Sequence, residues 1–168
     1  TFTPSVANKK IFIVHGHDEN SLRDLELFLM KLGLDPYILK NNVESGKTII
    51  EALEQRIVYD SAFGIVLMTP CDVGASKTDY EKDKTCLKSR ARQNVILEMG
   101  ILIGALGRGK VAILNKGSIE LPSDVNGIIY LPFGESLIKE AGAKIIQYLK
   151  SAGIPLDPEK ISSALSLG

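Results

Sequence analysis

The run Ala62-Phe-Gly-Ile-Val-Leu-Met68 constrains this chain most, because no polar side chain interrupts it. A strand with one wet face alternates apolar and polar residues, whereas a strand apolar throughout must be covered on both faces. Such a strand sits in the middle of a parallel sheet with helices on either side. The surrounding sequence supplies the rest of that pattern. Lys10-Ile-Phe-Ile-Val14 reads as a first strand. After Asp18, residues Leu22, Leu25, Phe28, Leu29 and Leu32 fall on one helical face, and Gly33 stops the helix. Pro36-Tyr-Ile-Leu39 is a short second strand. Thr48-Ile-Ile-Glu51 fits a capping box opening a helix that buries Ile49, Ile50, Leu53 and Ile57.

Val111-Ala-Ile-Leu114 and Gly127-Ile-Ile-Tyr-Leu131 follow as fourth and fifth strands. A last amphipathic helix carries Leu137, Ala141, Ile145 and Leu149 and ends near Gly153. Repeated strand–helix alternation predicts an α/β, flavodoxin-like doubly wound sheet of five parallel strands in the order 2-1-3-4-5. Its domain spans residues 10–153, after a linker (1–9) and before a tail or short helix (154–168). Residues 77–92 read as a long charged loop.

Composition narrows the function. Lys+Arg and Asp+Glu both number 20, so no global field favours nucleic acid or an anionic membrane. No apolar run approaches a membrane span, and Thr-Phe-Thr-Pro-Ser is not a signal peptide. Cys71 and Cys86 lack metal-ligand spacing and suggest a reducing, cytoplasmic setting. The opening on Thr suggests a piece of a longer protein.

In a doubly wound sheet, ligands bind beyond the carboxyl ends of the strands, where the strand order reverses. The loops at 15–18, 40–48 and 69–92 are therefore the ones expected to carry chemistry. Two apparent phosphate motifs fail first. Gly104-Ala-Leu-Gly-Arg-Gly-Lys110 has P-loop spacing but runs from helix to strand, the wrong way round for a helix N-terminus to face phosphate. Ser45-Gly-Lys-Thr48 is better placed but has Asn41 where the first glycine belongs. GxGxxG is absent, because the first turn reads His15-Gly-His-Asp18. There Gly16 allows close approach of a ligand, Asp18 is a natural N-cap, and His15 and His17, the only histidines, are candidate ligand contacts. A metal site would need a third ligand that the sequence does not supply.

Glu98 is the only ionisable residue in Val95-Ile-Leu-Glu-Met-Gly-Ile-Leu-Ile-Gly-Ala-Leu106. A carboxylate there is expensive unless paired, protonated or held at a cleft; the alternative is a Glu on the solvated stripe of a helix. Asn94, four residues earlier, shares its face. Arg90 and Arg92 begin the same helix, where positive charge opposes the macrodipole unless an anion lies nearby.

Ile11-Phe-Ile-Val-His-Gly-His-Asp18, Glu44-Ser-Gly-Lys-Thr-Ile-Ile-Glu51, Val66-Leu-Met-Thr-Pro-Cys-Asp-Val-Gly74 and Arg90-Ala-Arg-Gln-Asn-Val-Ile-Leu-Glu-Met-Gly100 together resemble the prokaryotic TIR-like domains. These are fused to STING or cyclic-nucleotide-sensing domains in bacterial anti-phage systems. The resemblance covers about residues 10–153. It implies NAD+ glycohydrolase activity, with Glu98 matching the family's catalytic glutamate on the helix after strand 3. It implies a BB loop at 40–48 that gates the site and packs on a neighbouring subunit. His15, Gly16, His17, Asp18, Gly46, Lys47, Thr69, Arg90, Arg92 and Asn94 are then candidate substrate contacts. The His-Gly-His-Asp turn replaces the Ser-Tyr-Arg-Arg type of animal relatives, and Asn94 stands where those often carry Trp.

The implied partners are NAD+ as substrate rather than resident cofactor, further copies of the domain, and a fused sensor for a cyclic nucleotide. No metal, nucleic acid or membrane is expected. Ordinary glycosidases need a carboxylic acid and a second carboxylate. The pyridinium of NAD+ leaves as neutral nicotinamide without an acid, so one carboxylate suffices to stabilise the oxocarbenium-like charge. Water attack gives ADP-ribose; attack from within the substrate gives a cyclic product. A non-enzymatic TIR scaffold competes with this reading. A nucleoside deoxyribosyltransferase ranks last, since its usual nucleophile context is missing.

Overall fold

The computed structural model describes residues 8–38, 51, 62–125 and 127–168. Strands β1 (Lys10–His15), β2 (Asp35–Ile38), β3 (Phe63–Met68), β6 (Val111–Lys116) and β7 (Ile129–Phe133) form one parallel sheet in the order β2-β1-β3-β6-β7. This is the expected 2-1-3-4-5 order, with β3 central and buried at all six positions. β4 (Asp72–Gly74) and β5 (Lys88–Arg90) form a separate antiparallel pair.

The uninterrupted apolar strands are explained by two cores, one on each face. Ile11, Ile13, Ile65, Leu67 and Leu114 point to a cluster completed by α1 (Glu19–Lys31), α4 (Leu137–Ser151) and α5 (Pro158–Leu165). Phe12, Val14, Val66, Met68 and Ile113 point the other way, to Val95, Met99 and Leu102 of α3 (Gln93–Leu106). Gly64 lets α3 sit close on the sheet, because a Cβ there would lie 3.2 Å from a Leu102 methyl and 3.3 Å from a Leu106 methyl.

Helix ends follow their sequence signals. Asp18 caps α1 by accepting from Ser21 N–H. Gly33, at φ 77°, donates to Met30 O while Leu34 donates to Leu29 O, the paired bonds of a Schellman motif. Gly153 and Ile154 close α4 in the same way on Lys150 and Leu149.

Two expectations change, and one open alternative is decided for the short helix. Residues 77–92 are not one loop: they contain α2 (Lys77–Lys82), capped by Ser76, and β5. The fifth strand begins at Ile129 rather than Gly127, because Gly127 at φ 87° and an Ile128 N–H to Val125 O bond form a turn. Residues 158–165 form α5, capped by Asp157 with Pro158 in the first turn, and Ala164 is fully buried against the first core. The capping box at Thr48 and the BB loop lie outside the described residues, except Glu51, which is helical.

Candidate functional site

A cleft of about 560 Å³ opens beyond the carboxyl ends of the strands, at the reversal of strand order. It is lined by His17 and Asp18 after β1, Thr69, Pro70 and Cys71 after β3, Lys116 and Gly117 at the end of β6, and Gly134 after β7. Its volume is in the range of small-molecule sites, roughly 300–1,000 Å³.

The turn after β1 is packed against the turn after β3. A Cβ on Gly16 would sit 2.6 Å from Cys71 Sγ and 3.3 Å from Thr69 Oγ1, so only glycine fits there. His17 N–H points at Cys71 Sγ at 3.4 Å, and Thr69 Oγ1 lies 3.2 Å from the same sulfur. Cys71 and Cys86 are free thiols.

His15 and His17 part company. His15 is buried, and its Nδ1–H donates to Gly16 O at 2.8 Å. His17 is exposed, and Arg92 Nη1 donates to its Nδ1 at 3.4 Å. Arg92 is the N-cap residue of α3 but makes no side-chain capping bond. Its guanidinium instead reaches across to the first turn.

Asp18 does more than cap. Its Oδ2 accepts from Lys116 Nζ at 2.6 Å and from Ser21 Oγ at 2.9 Å, while Oδ1 accepts Ser21 N–H. Burial pushes the carboxyl's pKa up, but the bonds from Lys116 and Ser21 and the Lys116 charge outweigh it. The net pKa lies below the ordinary 3.8. A depressed folded-state pKa contributes stability above the unfolded value and loses it as pH falls through the folded one. Stability is therefore expected to fall as pH drops through 3.8 and below. Asp18→Asn keeps the cap but loses the charge paired with Lys116, so it should flatten that part of the pH–stability profile and cost about 0.2–1 kcal/mol at neutral pH, readable by urea melts. A profile identical to that of the unsubstituted chain would contradict the account.

Glu98 lies on α3, half-buried, with Asn94 exposed one turn earlier. The surroundings are less enclosing than the apolar run implied. Only Val95, Met99 and Leu102 of α3 are fully buried, and Leu97 is 55% exposed. Ile96, Ile101, Ile103 and Leu106 are partly covered, in a cluster shared with Ile119, Leu121, Val125 and Ile128. The helix is thus apolar on more than one stripe because the segment after β6 covers it as well as the sheet. Six residues beyond its cap, Glu98 is about 9 Å further along the axis than Arg92, and it does not line the cleft.

Arg90 is not brought into the cleft. It belongs to β5, where its Nε donates to Glu120 Oε2 at 2.6 Å while Glu120 N–H bonds Ser89 O. This pair borders a second cavity of about 590 Å³, between the β4–β5 pair, Ile96 and residues 120–123. That cavity is slightly larger, but neither Glu98 nor the 15–18 turn lines it. Gly46 and Lys47 lie outside the described residues.

Sequence reasoning missed Pro70, Cys71, Lys116, Gly117 and Gly134. A signal for Lys116 existed, since it stands at the carboxyl end of a predicted strand, where this fold places ligand contacts. Among the described residues, no group of three or more His, Cys, Asp and Glu side chains could hold a metal ion. No helix among them is long and apolar enough to cross a membrane.

The family model for the TIR domain of CAP12/Pycsar effector proteins matches residues 10–135. Protein YuaY of Escherichia coli K12 is 43% identical over 159 residues, covering 94% of this chain and 50% of YuaY. Protein tirC of Dictyostelium discoideum is 36% identical, covering 76% of this chain and 66% of tirC. The Pycsar effector protein XpPycTIR of Xanthomonas perforans is 26% identical, covering 86% of this chain and 48% of that protein. The chain thus spans about half the length of YuaY and XpPycTIR and about two thirds of tirC.

Proposed function

This chain belongs to the TIR-domain family of CAP12/Pycsar effector proteins, and from that membership we propose that it is an NAD+ glycohydrolase effector domain. It acts in the cytoplasm in anti-phage defence, and assembly switches it on. The observation that carries the reading is the contact from Arg92 to His17, which ties the Glu98 helix to the switch-point cleft. An extended dinucleotide is long enough to lay its pyrophosphate by Arg92 and its nicotinamide ribose by Glu98.

In the proposed reaction the bond between ribose C1′ and the nicotinamide nitrogen breaks. Its electron pair returns to the pyridinium, which leaves as neutral nicotinamide. Glu98 carboxylate stabilises the positive charge developing on the ribose, the kind of preorganised electrostatic effect that dominates many enzyme sites. Water then adds to C1′ and loses a proton to give ADP-ribose; attack by a group of the substrate itself gives a cyclic product. The BB loop of an adjacent protomer, residues 40–48 there, completes the site. A sensor fused to this domain responds to a cyclic nucleotide and clusters it.

The test is nicotinamide release from NAD+ by the chain in dilute solution and bound densely to a support. Turnover per protein should rise at least about tenfold on the support. Equal and undetectable release in both would overturn the enzymatic reading. A second reading, a non-enzymatic scaffold, is favoured by the outer face of α3, where Leu97 is exposed and Gly100 and Gly104 face open space. A scaffold assembles on the support and leaves NAD+ intact.

A further inference from the structure

Two cations from opposite faces of the sheet are tethered to consecutive residues of the first turn. Arg92, at the head of α3, donates to His17. Lys116, at the end of β6, donates to Asp18 and, at 3.0 Å, to Ser21 Oγ at the head of α1. Consecutive Cα atoms are about 3.8 Å apart, so both cations are held around one short stretch of backbone. Lys116 lines the cleft and is only partly exposed.

We propose that Lys116 is a substrate-binding residue that, together with Arg92, holds the pyrophosphate of the dinucleotide in this cleft. The inference rests on the NAD+ reading for the identity of the ligand, and on geometry alone for the anion subsite. An ammonium has three N–H donors. Two are committed to Asp18 and Ser21, which fix the head group, and the third is available to a phosphoryl oxygen. The Asp18 carboxylate offsets the Lys116 charge within the cleft lining, and Arg92, held beside the lining by His17, leaves a net positive charge of one for the three groups. A pyrophosphate diester brings two negative charges, and it meets a lysine already oriented by its neighbours, so little side-chain freedom is lost on binding. Gly117, with no atom near the position of a Cβ, leaves the approach beside Lys116 open.

A purely structural Lys116 would lock β6 to α1 and have no effect on ligand. The two roles separate in binding measurements with ADP-ribose, adenosine and inorganic pyrophosphate as probes. Lys116→Met should weaken ADP-ribose about 10- to 100-fold, the range of one charge-assisted hydrogen bond, and should leave adenosine unchanged. Lys116→Arg should recover most of the affinity. In turnover, Lys116→Met should raise KM by a similar factor with kcat within about threefold.

Lysine methylation of the unsubstituted chain removes any dependence on how the variant folds: ADP-ribose should protect Lys116, and adenosine should not. In a chain that binds ADP-ribose, equal affinity in wild type and Lys116→Met, or no protection, would overturn the proposal. Loss of pyrophosphate binding in Lys116→Met, in a chain that binds neither ADP-ribose nor NAD+, would uphold the anion subsite and overturn only the dinucleotide reading.

Discussion

Glu98→Gln should reduce nicotinamide release by the clustered chain at least about 100-fold, mostly in kcat, with KM for NAD+ changed little. The substitution keeps the shape of the side chain, removes the negative charge and exchanges one acceptor oxygen for an NH2 donor. Electrostatic stabilisers aimed at charge that develops in the transition state contribute about 10²–10³ in kcat, and here no second carboxylate is required to share the work. Because Glu98 is half-buried rather than enclosed, the fold should tolerate the change, and the melting temperature should stay within a few degrees of wild type. A variant that releases nicotinamide at the wild-type rate would remove Glu98 from catalysis.

Phe28→Ala should have the largest effect on stability, about 3–5 kcal/mol by the usual cost of emptying a buried aromatic site. Phe28 is fully buried on α1, and its ring closes on α4 so tightly that a Cβ on Gly142 would lie 3.3 Å from its Cζ. Collapse around the void is limited because α1 is also packed under α5 and Leu165 lies over the same glycine. In a domain of this size each kcal/mol shifts Tm by about 2–4 °C, so thermal melts should show a drop of roughly 6–20 °C. A shift below about 2 °C, by the same conversion, would mean that the α1–α4–α5 core is not the packed unit described above. The cleft meets α1 only at its cap, Asp18, about 15 Å along the helix from Phe28, so residual folded protein should keep the ADP-ribose affinity of wild type.

The sheet is legible in the sequence because its strands are apolar on both faces, a pattern that a strand of this length satisfies only when layers of helix cover it from either side. Ala62–Met68 marks the central strand, and the alternation of helical faces around it orders the other four. Capping residues are equally readable: Asp18, Gly33 and Gly153 act through local hydrogen bonds or a positive φ, both of which depend on neighbours in sequence. What escapes the sequence depends on distant residues. The charged stretch 77–92 reads as a solvated loop because β4 and β5 are three residues each and gain their pairing from one another and, on the other side of β5, from Glu120. Arg90 and Arg92, two positions apart, are equivalent by sequence. The pairing of Arg90 with Glu120 and of Arg92 with His17 is set by tertiary contacts 30 and 75 residues away.

The same holds for the cleft. His17, Asp18 and Thr69 follow from the rule that ligands sit beyond strand ends. Lys116 obeys that rule but carries no motif, and its bond to Asp18 spans 98 residues. Glu98 stands out in the sequence for a reason only half fulfilled, since the apolar run around it is shared between the sheet and the segment after β6. Its candidacy rests on family membership and on the path from Arg92 to the cleft rather than on burial.

The most direct test of the central claim is to follow NAD+ and its products by chromatography with the chain held densely on a support, for wild type and Glu98→Gln in parallel. Wild type should consume NAD+ and release one nicotinamide for each ADP-ribose or cyclic ADP-ribose formed, while Glu98→Gln should leave NAD+ essentially untouched. Intact NAD+ with the wild-type chain, or equal consumption by both, would contradict that claim.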